Sequence, residues 1–273
     1  MAVQHGRRRE LPNACSGVAH LRSVLMEAGF QAFTDGGVFQ IDGKTPNYQL
    51  VQSMSGVSQR TSVQTVWNND HKLQFYGEYW ICSFTFSADE PLYAFQADPG
   101  VGVALWDTTS ADGSGRLFTV RLITTQQATV RLFVFSKVPV SSSKFGLQVF
   151  DENESLIADA ASPFYRVLDV IQEGYLGNDL GWVVAGAPSP SDLSRSYGRP
   201  VLISALWSSH YIWGSSNSNQ RLWDILEIGM VWVTGDTVSW GTRLFNGGRS
   251  PNVATFRECW RTRFMVLDGT GIV

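Results

Sequence analysis

The chain of 273 residues contains one segment twice, and an internal repeat of this kind sets the architecture of a protein. Residues 29–51 read GFQAFTDGGVFQIDGKTPNYQLV, and residues 146–168, which lie 117 positions further on, read GLQVFDENESLIADAASPFYRVL without a gap. The identical positions in the two copies are Gly29/Gly146, Gln31/Gln148, Phe33/Phe150, Asp42/Asp159, Pro46/Pro163 and Tyr48/Tyr165.

In each copy an alternating apolar run ends in a turn cluster, and a second run, a loop marked by proline and a third run follow. This pattern predicts a β-hairpin and one further strand in each copy. Asp42 and Asp159 stand before turns, where a short acid can accept hydrogen bonds from backbone N–H groups. The shared prolines stop strands, and the shared tyrosines are expected to pack as aromatic strand residues with the hydroxyl at an edge.

The rest of the chain continues as short alternating or aromatic-rich segments. The predicted strands are residues 71–86 (one long or two short strands), 91–97, 101–106, 116–124, 128–138, 201–207, 225–234, 238–245 and 256–267. Residues 54–70 are polar and residues 171–200 are rich in Gly, Pro and Ser, so both segments are predicted to be loops. Many short strands at this spacing predict an all-β fold of antiparallel β-sandwich type.

Two architectures fit the repeat. In the first, residues 29–143 and residues 144–273 form two β-sandwich domains related by duplication, and the short linker PVSSSK between them favours this arrangement. In the second, the two copies are related strands of one larger sandwich with a single core. Residues 1–28 are expected to form an N-terminal arm with a short helix over residues 16–28, where apolar side chains share one face.

The composition excludes several classes of function. Charged residues make up 16% of the chain and the net charge is −3, so there is no electrostatic basis for binding nucleic acid. Low charge fits a surface in contact with neighbouring subunits, or a soluble β-protein with a polar, uncharged surface. Cys15, Cys82 and Cys259 lie far apart, which favours buried free thiols made in a reducing cytoplasm. The chain shows no clean signal-peptide core and no long apolar run, so neither a secretion signal nor a membrane span is predicted.

No catalytic or cofactor-binding motif is recognisable, and the four histidines lack metal-ligand spacing. Asp151, Glu152, Glu154 and Asp159 come nearest to the carboxylate pair that glycosidases need. The first three lie in a turn, however, where acids are common for solvation and turn hydrogen bonds. We therefore predict no enzyme activity, no cofactor and no metal site.

The second half of the chain concentrates tryptophan, most densely in the segment WSSHYIW at residues 207–213. Aromatic faces can stack on sugar rings, and the neighbouring Ser- and Asn-rich loop offers adaptable hydrogen bonds. The alternative is that these side chains fill a β core or a subunit interface, where Trp and Tyr are also enriched. The candidate surface-binding residues are Trp207, His210, Tyr211, Trp213 and Trp223.

Residues 29–53, 91–106 and 128–170 resemble one family of proteins. The opening hairpin, the strand PLYAFQA, and the succession of ATVRLFVFSKV, a short linker and GLQVFDENESLIAD stand in the order that this family has. The family comprises structural proteins of the tail tip and tail-fibre region of long flexible-tailed (siphovirus-type) bacteriophages. The resemblance covers most of residues 26–170, and it implies an all-β virion protein without catalytic residues.

From this resemblance we expect a structural component of a tail tip, baseplate or fibre junction that is assembled in the host cytoplasm. Several copies would surround the tail axis as a cyclic homo-oligomer, with a trimer expected, and would contact other tail proteins. The alternative is a receptor-binding module whose Trp-rich half binds a host cell-surface glycan or a pilus.

Overall fold

The computed structural model describes residues 32–33, 40–41, 47–68, 73–110, 115–137, 147–151, 153–172, 182–183, 193–208, 210–213, 225–244, 255–256 and 262–273. These residues form antiparallel strands joined by turns, and no helix occurs among them. The predicted all-β sandwich is therefore confirmed. The predicted N-terminal arm and helix lie outside the described residues.

The strands are numbered in chain order. The first half of the chain contributes β1 (Ala32–Phe33), β2 (Gln40–Ile41), β3 (Gln49–Val57), β4 (Gln59–Asn68), β5 (Leu73–Ser87), β6 (Leu92–Ala97), β7 (Gly102–Ser110), β8 (Leu117–Thr124) and β9 (Thr129–Ser136). The second half contributes β10 (Gln148–Phe150), β11 (Leu156–Asp159), β12 (Val167–Gln172), β13 (Trp182–Val183), β14 (Leu193–Ser196), β15 (Val201–Ser208), β16 (His210–Trp213), β17 (Ile225–Thr234), β18 (Thr237–Leu244), β19 (Thr255–Phe256) and β20 (Thr262–Asp268).

Two large sheets make up the sandwich. The six-stranded sheet has the order β12-β20-β15-β6-β9-β3, and the eight-stranded sheet has the order β14-β18-β17-β7-β8-β5-β4, with β16 also paired to β17. The strands β1 and β2, β10 and β11, and β13 and β19 form three separate two-stranded sheets.

The main hydrophobic core draws its side chains from both large sheets. Phe84 of β5 and Leu122 of β8 pack in one cluster with Phe95 of β6, Leu132 of β9 and Phe264 of β20. These residues follow the two-residue period of a strand, so one face of each strand faces the other sheet. The alternation in the sequence predicted this arrangement for the central strands.

Cys82, the cysteine whose surroundings the structure describes, belongs to this core and is a free thiol. Burial raises the pKa of the Cys82 thiol to about 11. The thiol is therefore almost entirely protonated at neutral pH, and it acts as a small apolar side chain.

Both repeat copies contain the predicted hairpin. Ala32 lies opposite Ile41 in the first hairpin, and Val149 lies opposite Ala158, the positions that correspond to them, in the second. In the second copy the register then shifts, so that Phe150 lies opposite Leu156. The third strands of the copies, β3 and β12, form the two opposite edges of the six-stranded sheet.

The correspondence between the halves extends beyond the repeat. Read from its two edges towards the centre, the six-stranded sheet gives β3-β9-β6 on one side and β12-β20-β15 on the other. The eight-stranded sheet likewise gives β5-β8-β7 and β14-β18-β17, with β4 outside β5. The two halves thus place corresponding strands at equal distances from the centre of each sheet, and only the central strands β6 and β15, and β7 and β17, pair with their counterparts. We infer that the whole sandwich arose by duplication.

Both sheets continue across the predicted boundary between residues 143 and 144. In the six-stranded sheet Phe95 of β6 lies opposite Ile203 of β15, and in the other sheet Val103 of β7 lies opposite Val231 of β17. All four side chains belong to the main core. The described residues thus form one sandwich with a shared core, built from two corresponding sets of strands.

The prediction of a loop over residues 54–70 is wrong, because β3 continues to Val57 and β4 covers Gln59–Asn68. Ser58 is the corner at which the chain passes from one sheet to the other. Its backbone N–H donates to the carbonyl oxygen of Ala128 at 2.9 Å, and its Oγ accepts from the N–H of Ala128 at 3.0 Å. Both strands are sheet edges with many exposed side chains, so their sequences are polar and resemble a loop.

The prediction of a loop over residues 171–200 is wrong where strands occur, because β12 continues to Gln172, β13 covers Trp182–Val183 and β14 covers Leu193–Ser196. Strand β14 has four residues, three of them exposed, and pairs with β18. A short, polar edge strand carries almost no periodic signal in the sequence.

Candidate functional site

The two repeat copies meet at the loops that follow their hairpins. The N–H of Leu50 donates to the carbonyl oxygen of Pro163 at 2.8 Å, and the N–H of Tyr165 donates to the carbonyl oxygen of Tyr48 at 2.9 Å. Gln49 and Phe164 form an antiparallel bridge. One residue along this register, Tyr48 lies opposite Tyr165, so the pairing is centred on equivalent residues of the two copies.

Both tyrosines pack on the face of the six-stranded sheet that points away from the main core, against a cluster that includes Phe135. The Tyr165 ring meets Phe135 edge to face, with 5.2 Å between ring centroids. Its hydroxyl donates to Ser204 Oγ at 2.6 Å, and Ser204 Oγ donates to the carbonyl oxygen of Tyr93 at 2.6 Å. Burial raises the pKa of the Tyr165 hydroxyl, and the bond to Ser204 offsets part of that rise. These tyrosines are loop residues rather than the strand residues expected from the sequence.

Asp159 holds the turn after the second hairpin. Its Oδ1 accepts the N–H of Ala161 at 2.8 Å, and its carbonyl oxygen accepts the N–H of Ser162 at 3.0 Å. The fully buried Gln49 side chain donates to that carbonyl oxygen at 2.5 Å and accepts the N–H of Asp159 at 3.0 Å. The first copy therefore fixes the turn of the second copy through one buried amide.

Three other repeat positions, Gln148, Phe150 and Phe33, lie in the hairpin strands, and the remaining ones lie outside the described residues. Gln148 Nε2 donates to Asp159 Oδ2 at 3.2 Å, and Phe150 in β10 is 50% exposed. Phe33 belongs to β1. The positions outside the described residues are Gly29, Gln31, Asp42, Pro46 and Gly146. Among the turn acids, Asp151 Oδ1 accepts the N–H groups of Asn153 and Ser155, each at 2.8 Å.

Three of the five candidate surface-binding residues lie on one strand. His210, Tyr211 and Trp213 lie in strand β16, which pairs with the first half of β17. Trp207 lies in β15 opposite Arg263, and Trp223 is outside the described residues.

Two further tryptophans of this half have described side chains. Trp240 is buried in the main core, where its ring meets Phe264 at 5.7 Å between centroids. Trp232 is partly buried on the opposite face of the eight-stranded sheet. Trp240 therefore fills the β core, which is the alternative to glycan binding given above for the tryptophans of this half.

A cleft of about 310 Å³ lies between the turn after β11 and the C-terminal turn after β20. Its lining consists of Ala160, Ala161, Ser162, Pro163, Phe164, Arg166, Asp268, Thr270, Gly271 and Ile272. The lining combines apolar side chains, two hydroxyl groups and one ion pair between Arg166 and Asp268. Sequence reasoning missed this cleft.

Asp268 carries the charge chemistry of the cleft. Its side chain is 3% exposed, and its Oδ2 lies 2.8 Å from Arg166 Nη2 and 3.3 Å from Arg199 Nη1. Its Oδ1 accepts the N–H of Thr270 at 2.9 Å. Burial acts to raise the pKa of Asp268, but the hydrogen bonds from Thr270 and the two guanidinium groups outweigh it and lower the pKa. Asp268 is therefore a fixed anion that orients two arginines.

Strand β12 presents an apolar surface at the edge of the six-stranded sheet. In the described part of the chain it pairs with β20 alone, and Val167, Leu168 and Val170 are 37%, 37% and 55% exposed. Eight large hydrophobic side chains are exposed among the described residues, and five of them lie in the second repeat copy and the residues just after it, at Leu147, Phe150, Val167, Leu168 and Val170. We call the segment 167–170 the β12 edge.

The described residues contain no group of His, Cys, Asp and Glu side chains suited to hold a metal ion. Nor do they include a helix with the length and apolar character needed to cross a membrane. A comparison of the chain with protein-family models, with curated proteins and with solved structures finds no match.

Proposed function

We propose that this chain is a structural subunit of a bacteriophage tail tip, baseplate or fibre junction. It assembles as a cyclic homo-oligomer, a trimer, around the tail axis and contacts other tail proteins. The resemblance of residues 29–53, 91–106 and 128–170 to the family supports the virion assignment. The apolar β12 edge supports assembly, and it is the observation that carries the proposal.

An apolar sheet edge is a liability in a monomer. Natural edge strands are protected by charge, proline, shortness or a covering element, because an unpaired strand can pair with another chain. The β12 edge has one acid, Asp169, and its Oδ2 accepts from the Tyr197 hydroxyl at 2.9 Å and also pairs with Arg195. The carboxylate is turned to β14 and its flanking turn, so the three apolar neighbours remain to be covered by another subunit.

The partner that we assign to this edge is a second copy of the chain. The two halves of the molecule are already joined strand to strand in both sheets, through β6 with β15 and β7 with β17. The first half of the chain thus already associates with the second half, its duplicate, by strand pairing. A closed ring of three forms when the β12 edge of each subunit meets a different surface of the next subunit, because two β12 edges that paired with each other would stop at a dimer.

The first experiment measures the mass of the purified full chain in solution by light scattering after gel filtration. The parent chain is expected at three times its 30.2 kDa mass, and the double variant Leu168→Lys/Val170→Lys at the monomer mass. Lysine at a sheet edge opposes strand addition because the charged amine would have to be desolvated.

The matched control is Leu92→Lys, which changes a side chain that is 36% exposed on the central strand β6. This variant should keep the mass of the parent chain. A parent chain that stays monomeric at high concentration would contradict the proposed assembly. Immunogold labelling of the phage particle checks the location, and label on the capsid rather than the tail tip would contradict the assignment.

A second candidate function is receptor binding through the Trp-rich half, to a host cell-surface glycan or a pilus. Strand β16 favours it, because this strand places His210, Tyr211 and Trp213 on one short strand at the margin of the eight-stranded sheet. Phage carrying Trp213→Ala should then assemble normally but adsorb poorly to host cells. Unchanged adsorption by such particles removes Trp213 from a receptor site.

A further inference from the structure

The lining of the cleft between the turn after β11 and the C-terminal turn includes none of the exposed apolar side chains of the β12 edge. Its volume of about 310 Å³ falls at the lower end of the range for small-molecule sites. Pro163, Phe164 and Ile272 supply apolar wall, and Ser162 and Thr270 supply hydroxyl groups. A ligand of this cleft is therefore small, with one apolar face and a rim of polar groups.

The ion cluster at the cleft carries one excess positive charge. Asp268 is a single carboxylate, and it is contacted by the guanidinium groups of both Arg166 and Arg199. Because the carboxylate is buried and fully ionised at neutral pH, it neutralises one of the two cations. The remaining charge favours an anionic ligand.

The two arginines also keep hydrogen-bond donors for such a ligand. A guanidinium group has five N–H donors, and each arginine contacts Asp268 through one terminal nitrogen. The side chains of Arg166 and Arg199 are 42% and 52% exposed, so their remaining donors reach solvent. Arg166 lines the cleft, and its pairing with a buried acid orients its planar donor fork in advance.

We propose that this cleft binds a carboxylated monosaccharide unit, such as a hexuronic acid. The sugar carboxylate pairs with Arg166, and Arg199 supplies the balancing charge on Asp268. The pyranose ring lies against Phe164, and its hydroxyl groups bond to Ser162 and Thr270. A phosphate ion would leave the apolar wall unused, and an extended peptide would require a groove longer than the space between two turns.

The test is a titration of the full chain with glucuronate, followed by ligand-observed NMR. From the size of the ligand we expect a Kd of about 1 mM. Glucose, which matches glucuronate but lacks the carboxylate, and inorganic phosphate should each bind at least tenfold more weakly, as should an acetylated dipeptide with a free C-terminal carboxylate.

Three variants assign the binding to the cleft. Arg166→Gln removes the cation, and Ala161→Trp adds an indole ring at the cleft from an exposed position and leaves the three charged side chains in the sequence. Each should weaken glucuronate binding at least tenfold. The control Arg60→Gln makes the same substitution at an exposed ion pair on β4 and should bind as the parent does. If circular dichroism shows that Arg166→Gln is unfolded, Ala161→Trp decides alone.

The proposal is overturned if glucuronate shows no binding at tenfold the expected Kd, or if Ala161→Trp binds it unchanged. Equal binding of glucose overturns the role of the charge. Equal binding of phosphate or of the peptide acid overturns the sugar assignment. Binding does not depend on the oligomeric state, so Leu168→Lys/Val170→Lys should bind glucuronate as the parent chain does, whatever its mass.

Discussion

Equivalent residues of the two repeat copies have acquired different roles where the copies meet. Gln49 and Arg166 occupy the same position of the repeat, just after the shared tyrosine. Gln49 is buried and fixes the turn at Asp159, whereas Arg166 is partly exposed and pairs with Asp268. One copy thus uses the position for structure, and the other uses it to line a cleft.

Gln49→Met tests the structural role, since methionine is similar in length but cannot hydrogen-bond with the turn. The N–H of Asp159 would lose its partner in a buried place, and the carbonyl oxygen of Asp159 would keep the N–H of Ser162 but lose the amide of Gln49. An unsatisfied buried group costs about 1–3 kcal/mol. Urea unfolding should therefore show a free energy of unfolding lower by that amount. The control Gln52→Met, exposed on the same strand, should differ little from the parent chain; equal losses in both variants would contradict the proposed role of Gln49.

Asp268→Asn should show a stability loss that depends on pH. The folded-state pKa of Asp268 is lowered, so its charge stabilises the fold above the unfolded-state pKa of about 3.9. That contribution is lost as the pH falls through the lower folded-state pKa. At pH 7 the variant should be less stable by about 1–3 kcal/mol, because a buried charge-assisted network is broken. The difference should shrink as the pH falls through the folded-state pKa, because Asp268 of the parent chain then also becomes neutral.

Denaturant unfolding at a series of pH values measures this difference. The control is Glu78→Gln, which removes an exposed partner of Arg60. It should lower the free energy of unfolding by less than about 0.5 kcal/mol at pH 7 and at the acid end of the series alike. A loss for Asp268→Asn that is the same at both ends of the pH range would show that shape, rather than charge, matters at this position.

At the level of the strands, the two halves join where β7 meets β17. Gly102 of β7 lies opposite Trp232 of β17. A Cβ atom at Gly102 would lie 2.6 Å from Trp232 Cε2 and 2.8 Å from Thr125 Cγ2, both closer than van der Waals contact. Glycine at this position therefore allows the indole ring to lie across the junction.

Gly102→Ala should destabilise the fold by about 1–3 kcal/mol, which is typical of overpacking, because the rigid indole ring or the strand must move. Thermal unfolding measures the effect, and the change in Trp fluorescence reports the displaced ring. Ser110→Ala, at the exposed end of the same strand, is the control. A variant of Gly102 as stable as this control would show that the junction has room to adapt.

The central strands could be predicted from the sequence, whereas the edges and the cleft could not. Phe84, Leu122 and Leu132 alternate with exposed or differently packed neighbours, and this period is visible in the sequence. Strands β4 and β14 are polar because they lie at edges, so nothing in their sequences separates them from loops. Arg166, Arg199 and Asp268 are far apart in the chain, and only the pairing of β12 and β15 with β20 brings them together.

On the scale of the whole molecule, the duplication has produced one body from two related sets of strands. The repeat indicated the duplication but left open whether the copies build two cores or one. That question depends on pairing between β6 and β15 and between β7 and β17, which sequence periodicity does not encode. A half expressed alone would present these strands as unpaired apolar edges, which favours aggregation.

The shared sheets predict that the two halves unfold together. Ile203 is fully buried and lies opposite Phe95 across the junction, so Ile203→Ala should cost about 2–5 kcal/mol. Because the core is continuous, this loss should appear in both halves. Under conditions that favour global opening, hydrogen exchange should accelerate by the same factor in β9, which belongs to the first half, and in β20, which belongs to the second. Faster exchange in β20 with unchanged exchange in β9 would mean that the halves open separately, and the sandwich would then behave as two domains joined at a seam.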